Sequence, residues 1–261
     1  MFEFHTDKLR YFNMQAQNAR AYIVPFIEKY KPIHAGTRVL EIGCAEAGVL
    51  KAFTEKGCIT VGVELDEPRL VLARTFMKDE CEQGKISFIS KDIYKVDIEN
   101  ELKGKFDIVI LKDVIEHIHH QEKLIAWMKN LLLPNGVIFF GFPPWQMPFG
   151  GHQQIMSNQF LSKLPYFHLL PMPIYKGILK LFKQDVAAFV EIKDTGISIE
   201  RFEKIIHATG FQVVNKLHYF LNPIYTFKFG IKPKHQLGII SAIPYFRNYV
   251  TTCVYYLIAE V

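Results

Sequence analysis

The sequence predicts an α/β fold: a doubly wound, mostly parallel sheet with an antiparallel C-terminal strand and an inserted helical cover. Three observations predict it. Short apolar runs alternate with helical segments between residues 37 and 142. A glycine-bearing turn joins the first of those runs to the first helix. The regular texture then breaks at Pro143 into a stretch rich in proline and aromatics, and resumes only at Ser198.

The elements follow in order. Residues 1–34 read as a helical lead-in, with Ile23, Phe26, Ile27 and Tyr30 at helical spacing and Lys31-Pro32 ending it. Thr37–Ile42 is a first buried strand, and Gly48–Lys56 a helix stopped by Gly57. Ile59–Leu65 is β-branched and apolar, a second strand. Pro68–Gln83 reads as one helix, with proline in its first turn and Gly84 just past its end. Ile86–Ser90 and Phe106–Leu111 are strands three and four. A helix over Gln121–Leu132 leads to Pro134-Asn135-Gly136, a turn into the fifth strand, Val137–Phe142.

Beyond Phe142 the cover occupies residues 143–197. Ser198–Gly210 is a capped helix, and Phe211–His218 and Val250–Val261 a terminal strand pair around a second irregular excursion, Tyr219–Asn248. The chain thus reads as a single domain, 1–261. It divides into the lead-in, a ligand-binding core (37–142), the cover (143–197) and a C-terminal helix and strand pair (198–261).

Composition narrows the class. Hydrophobic residues make up 49%, and 22 Phe and 12 Tyr supply a core. Cys44, Cys58, Cys81 and Cys253 lack CxxC spacing, which argues against a structural zinc site or a disulfide framework and predicts a cytoplasmic location. The N-terminus lacks the basic and apolar regions of a signal peptide, and the apolar run Tyr249–Ala259 is too short to span a bilayer. The net charge of +5 is uneven: residues 145–261 hold 12 Lys/Arg against 6 Asp/Glu, the first 144 hold 19 against 20. That excess suits an acidic or amphipathic partner or an anionic surface. It is too dispersed for nucleic acid.

Ligands of such sheets bind beyond the carboxyl ends of the strands. There stands Glu41-Ile42-Gly43-Cys44-Ala45-Glu46-Ala47-Gly48, small residues opening onto a helix N-terminus. An ordinary tight turn looks the same, and Gly43-x-Ala45-x-x-Gly48 also has the spacing of a dinucleotide fingerprint. Glu64 ends the second strand, Asp92 follows the third, and Asp113-Val114-Ile115-Glu116-His117 follows the fourth. Asp113, Glu116 and His117 have the spacing to share one face of a helical turn.

In this order the motifs resemble those of the class I S-adenosylmethionine-dependent methyltransferases. The likeness spans about Thr37–Phe142 and resumes at Ser198–Val214, where Thr209-Gly210-Phe211 looks like the family's helix-to-strand turn. It implies a Rossmann-like seven-stranded sheet and S-adenosyl-L-methionine as cofactor. It further implies cofactor contacts from Glu41, Gly43, Cys44, Ala45 and Gly48 in the first turn, and from Glu64 and Leu65, with Glu64 on the ribose hydroxyls. Asp92 and Ile93 would meet the adenine, and Lys112 and Asp113 follow the fourth strand. Ala45 and Ala47 stand where the family keeps glycine, a cost of about 1 kcal/mol wherever a positive φ is required.

Methyl transfer needs in-line alignment, and a hydroxyl acceptor also needs a base. Asp113, His117 and His152 are the candidates. The acid-x-x-Glu-His string also resembles the metal-binding element of ubiquinone-type O-methyltransferases and small-RNA 2′-O-methyltransferases, with His152 as an added ligand for Mg²⁺ or Mn²⁺. Relatives without metal carry the same Glu-His pair, so both readings stay open. His119 and His120 point apart on a helix and read as solvated.

Phe142–His152 reads as the floor and hinge of an acceptor pocket or as a rigid connector. Phe160–Phe189 mixes Lys163, Lys176, Lys180 and Lys183 with apolar residues, as in a lid packed on the core or a segment lying on a membrane. Tyr11, Asn13 and Gln15 fall where similar enzymes close over the cofactor. The reading is methylation, at oxygen, of a small or amphipathic acceptor. A NAD-dependent oxidoreductase is the alternative that the glycine spacing and Glu64 allow, though Glu41 and the Asp113–His117 element have no role there. The two alanines suggest a third, a catalytically silent cofactor-binding module.

Overall fold

The computed structural model describes residues 7–261; the first six residues of the expected lead-in lie outside the described residues. Five strands run parallel: β1 (Arg38–Ile42), β2 (Ile59–Glu64), β3 (Ile86–Ser90), β4 (Phe106–Lys112) and β5 (Leu132–Phe142). β6 (Phe211–Leu221), the two-residue β7 (Lys234–His235) and β8 (Cys253–Glu260) complete one sheet in the order β3-β2-β1-β4-β5-β8-β6-β7. β8 is antiparallel to both β5 and β6. The expected seven strands are all present, and β7 adds an eighth at the edge, where the excursion folds back on Tyr219 and Leu221.

β1 lies between β2 and β4, so the strand order reverses beside it. Helices leave in opposite directions from such a switch point and leave a crevice at the strand ends. Alternate strand residues serve opposite faces. Val39, Ile108, Phe139 and Tyr255 face a core built with Val24, Phe26, Leu50 and Phe53. Leu40, Val109, Ile138 and Tyr256 face the other, with Leu124, Phe202 and Ile206.

α1 (Lys8–Asn18), capped by the Asp7 carboxylate on the Arg10 N–H at 2.9 Å, runs through a π turn at Ala19–Ile23 into a helical turn at Val24–Glu28. α2 (Gly48–Thr54) packs against it. A Cβ at Gly48 would stand 2.5 Å from the Phe12 carbonyl oxygen, so only glycine lets the lead-in lie over the first turn. The expected single helix over Pro68–Gln83 is two: α3 (Glu67–Phe76) stops where Met77 leaves helical geometry to bury its side chain fully, and Lys78–Glu82 restarts it. α4 (Gln121–Trp127) ends sooner than expected and tightens into a 3₁₀ turn, Met128–Leu131. Pro134-Asn135-Gly136 does not precede the fifth strand but interrupts it, with Asn135 left-handed at φ +61°.

The cover holds α5 (Met172–Leu181) and α6 (Val186–Thr195), which bury a separate apolar cluster of Phe167, Tyr175, Leu179 and Phe189. α7 (Ile199–Ala208), with Ser198 as its cap, returns the chain to the sheet. In the second excursion α8 (Tyr225–Phe229) packs on α1. Among the described residues, no helix is long and apolar enough to cross a membrane.

Candidate functional site

A cavity of about 700 Å³ lies at the carboxyl ends of β1 and β4. Its walls come from α1, the turn after β1, the turn after β4, the start of the cover and α8.

The turn after β1 is left-handed at alternate residues: Gly43 at φ +71°, Ala45 at +50° and Ala47 at +65°. Both alanines therefore occupy the conformation that glycine takes without strain. The Glu64 carboxylate fixes this turn by accepting the Ala45 N–H at 2.9 Å, and it also accepts the N–H groups of Leu65 and Asp66 at 2.8 and 3.1 Å. Glu46 is buried in ion pairs with Lys8 at 3.1 Å and Arg69 at 3.5 Å, which tie α1 and α3 to the turn.

At the base of the cavity Glu41 is buried, its Oε2 without a hydrogen-bond partner among the described residues. Burial pushes its carboxyl well above the usual range, and nearby Lys112 works in the opposite direction. Lys112 is itself buried and ion-paired with the Asp113 carboxylate. Burial, the largest influence, opposes its charge, but the charge and hydrogen bond of Asp113 together with further neighbours hold the ammonium above its ordinary pKa.

Asp113 is left-handed at φ +56°, and only Ile115–His117 form a 3₁₀ turn. The expectation that Asp113, Glu116 and His117 share a helical face is therefore corrected: the chain kinks at Asp113, and its carboxylate goes to Lys112. Glu116 turns inward instead, with both carboxylate oxygens buried and unpartnered among the described residues. Burial, then Asp113, drives its carboxyl well above the usual range. The rings of His117 and His152 meet edge to face, centroids 4.7 Å apart. Ligand atoms of Glu116, His117 and His152 all lie within 4.8 Å of one another. His152 is also left-handed, at φ +53°, and a Cβ at the preceding Gly151 would stand 2.3 Å from His168 Cβ. Ala45, Asp113 and His152, three of the ten non-glycine residues at positive φ among the described residues, line this cavity.

Of the residues singled out from the sequence, Glu41, Gly43, Cys44, Ala45, Gly48, Lys112, Asp113, His117 and His152 line the cavity. Glu64, Leu65, Asp92 and Ile93 do not: Glu64 braces the turn from behind, Leu65 projects outward at 73% exposure, Ile93 is buried, and Asp92 caps a short turn by accepting the Tyr94 N–H. Tyr11 and Gln15 line it and Asn13 faces solvent, while His119 and His120 are exposed as expected. Sequence reasoning missed the wall from the second excursion, including Asn222, Tyr225 and Lys228. Lys228 Nζ lies 5.4 Å from the centre of the Tyr11 ring, and burial pulls its ammonium down to about 8. The clue in the sequence was the departure from strand texture after Tyr219.

Residues 14–169 match the sequence profile of a family described as a methyltransferase domain. The ubiquinone biosynthesis O-methyltransferase of Pasteurella multocida is 30% identical over 117 residues, 40% of this chain and 46% of the relative. That of Histophilus somni is 28% identical over 132 residues, 46% and 52% of the two chains. The chain spans about half the length of the curated relatives it matches. Among solved structures, the magnesium protoporphyrin IX methyltransferase of Synechocystis aligns with a TM-score of 0.54 at 14% identity, over 95% of this chain and 84% of its own. An Aquifex aeolicus SAM-dependent methyltransferase gives 0.55 at 8% identity, over 98% of each chain. At such identities the likeness shows the fold.

Proposed function

The chain belongs to the methyltransferase-domain family, and from that premise we propose that it transfers a methyl group from S-adenosylmethionine to a hydroxyl of a small or amphipathic acceptor. The observation that carries this reading is one cavity with the left-handed Gly43–Ala47 turn on one side and the Glu116, His117 and His152 cluster on another. Family membership favours the sulfonium cofactor over NAD, which the glycine spacing alone left open. The O-methyltransferase relatives support oxygen as the accepting atom.

The sulfonium cofactor supplies an already activated methyl group, so the protein's work is alignment, exclusion of water and removal of a proton. The turn after β1 presents backbone to the cofactor, and Glu64 sets its shape. Glu64 and Leu65, at the end of β2, and Asp92 and Ile93, beyond β3, lie outside the cavity lining, and their contacts to ribose and adenine are part of this proposal. The ring nitrogens of His117 or His152 take the proton of the acceptor hydroxyl.

The same cluster fits a divalent cation. Two buried, unpartnered carboxylate oxygens on Glu116 and two imidazoles within 4.8 Å are a donor set suited to Mg²⁺ or Mn²⁺. Such an ion, when bound, would act as a Lewis acid that lowers the pKa of the acceptor hydroxyl.

Calorimetric titration with S-adenosylmethionine and with NAD, followed by assay of S-adenosylhomocysteine release over phenolic and amine acceptors, tests the proposal. Binding of the sulfonium cofactor alone, with turnover on the phenols, is expected. Binding of NAD instead refutes it, and cofactor binding with no turnover on any acceptor makes the chain a silent binding module.

A further inference from the structure

Two irregular segments line the cavity, residues 143–197 and 222–249: Phe149, Ile155 and Lys163 from the first, Tyr225, Lys228 and Phe229 from the second. They also join each other, since the Tyr166 hydroxyl donates to the Tyr249 carbonyl at 3.0 Å and the two rings lie 6.2 Å apart.

Their composition is one-sided. Residues 143–184 contain four lysines and no Asp or Glu, and between Glu203 and Glu260 there is no acid at all. Arg247 is spent on Glu200 and Glu203. By contrast Lys163, Lys176, Lys180, Lys183, Lys232 and Lys234 are exposed and form no ion pair among the described residues. Between these lysines stand apolar side chains facing water: Phe160 at 66%, Leu181 at 77%, Leu237 at 64% and Ile239 at 75% exposure. Single exposed apolar residues need no explanation, but this density in two segments that both reach the cavity does. Elsewhere the surface mixes lysines with acids, some of them in ion pairs such as Arg20 with Glu55 and Lys91 with Glu101.

We propose that the acid-free stretches 143–184 and 222–249, which both reach the cavity, form a face that docks on an anionic lipid bilayer, so that an amphipathic acceptor enters the cavity from the membrane. Interleaved lysines and apolar side chains match the headgroup and acyl layers of such a surface. A second copy of the chain matches it poorly, because pairing the face with itself sets lysine against lysine. The docking half of the proposal stands on composition and exposure. The entry of the acceptor rests on the methyltransferase reading.

The test is co-sedimentation of the full chain with phosphatidylcholine vesicles containing one-third phosphatidylglycerol, against pure phosphatidylcholine. Binding to the anionic vesicles only, weakened by salt, is expected. Each surface lysine near anionic lipid is worth about fivefold in affinity, so Lys232→Gln with Lys234→Gln should weaken partition about 25-fold. Leu237→Ser with Ile239→Ser should weaken it at least tenfold, and these positions are too exposed for the fold to depend on them. Absence of binding to the anionic vesicles overturns the proposal, as does binding that neither variant changes. So does self-association in vesicle-free buffer that the Leu237/Ile239 variant abolishes, which would assign the face to a second copy. S-adenosylmethionine titration without vesicles separates the two readings: cofactor binding without vesicle binding sinks only the docking, and the reverse sinks only the methyltransferase.

Discussion

The Ala45 N–H donates to the Glu64 carboxylate at 2.9 Å, joining the turn after β1 to the end of β2. The turn proposed to hold the cofactor therefore carries its own brace, and Glu64, proposed to meet ribose, also shapes that turn. Glu64→Ala should weaken S-adenosylmethionine binding by about 1.5–3 kcal/mol, or roughly 10–150-fold, through loss of a charged acceptor. Glu64→Gln, which keeps an acceptor oxygen, should lose less. Calorimetry reads both, and wild-type affinity in the alanine variant would place the ribose contact elsewhere.

Ala45 and Ala47 hold φ of +50° and +65°. An alanine there costs about 1 kcal/mol relative to glycine, while glycine gains part of that as freedom in the unfolded chain. Ala45→Gly and Ala47→Gly should each leave stability unchanged or raise it, by less than about 1 kcal/mol in urea denaturation. A loss of stability in either would show that the methyl group packs well enough to outweigh the strain.

Those alanines also mark what the sequence made legible. The strands were readable because parallel strands buried on both faces are continuous apolar runs, and the first turn because small residues gather where backbone approaches a ligand. The kink at Asp113 was not readable, since Asp-x-x-Glu-His has helical spacing and only the ion pair with Lys112 reveals the left-handed residue. Nor was the pairing of His117 with His152, which depends on how the cover folds back over the β4 turn. The wall from α8 was hidden for the same reason: the irregular texture marked an excursion, but its contact with α1, far away in the chain, is not a local pattern.

At the far end of the sheet, Tyr256 donates its hydroxyl to Glu203 at 2.7 Å and accepts from the ring Nε2 of His218 at 3.0 Å. Burial, followed by Arg247 and Lys216, lowers His218 to about 4. Hydrogen bonds from Tyr256, Lys216 and Arg247 overcome burial and lower Glu203 to about 2. Both groups bind protons more readily in the unfolded chain, so stability should fall with pH, first between about 6.5 and 4 through His218, then between about 4.5 and 2 through Glu203. Each effect is at most on the order of 3 kcal/mol. His218→Gln should flatten the upper window and leave the lower one. His152 and His168, also held near 4 by burial, keep some slope in the upper window. Denaturation midpoints across pH test this; an unchanged upper window in the variant would contradict it.

Glu116 separates stability from function. Its carboxylate is buried with neither oxygen hydrogen-bonded among the described residues, an arrangement that costs folding energy unless something else occupies the site. Glu116→Gln removes a carboxyl whose charged form burial already disfavours and should fold as stably as the wild type, or more so. If the carboxylate serves with His117 and His152 as a donor set for a divalent ion, the same variant should lose Mn²⁺ binding, as should His152→Ala. Calorimetric titration with Mn²⁺ reads that loss without reference to turnover. EDTA should then lower the wild-type rate, and Mn²⁺ or Mg²⁺ restore it. A Glu116→Gln enzyme that is destabilised and still binds Mn²⁺ would make Glu116 a structural acid. Full activity in EDTA would leave His117 and His152 to take the acceptor's proton alone.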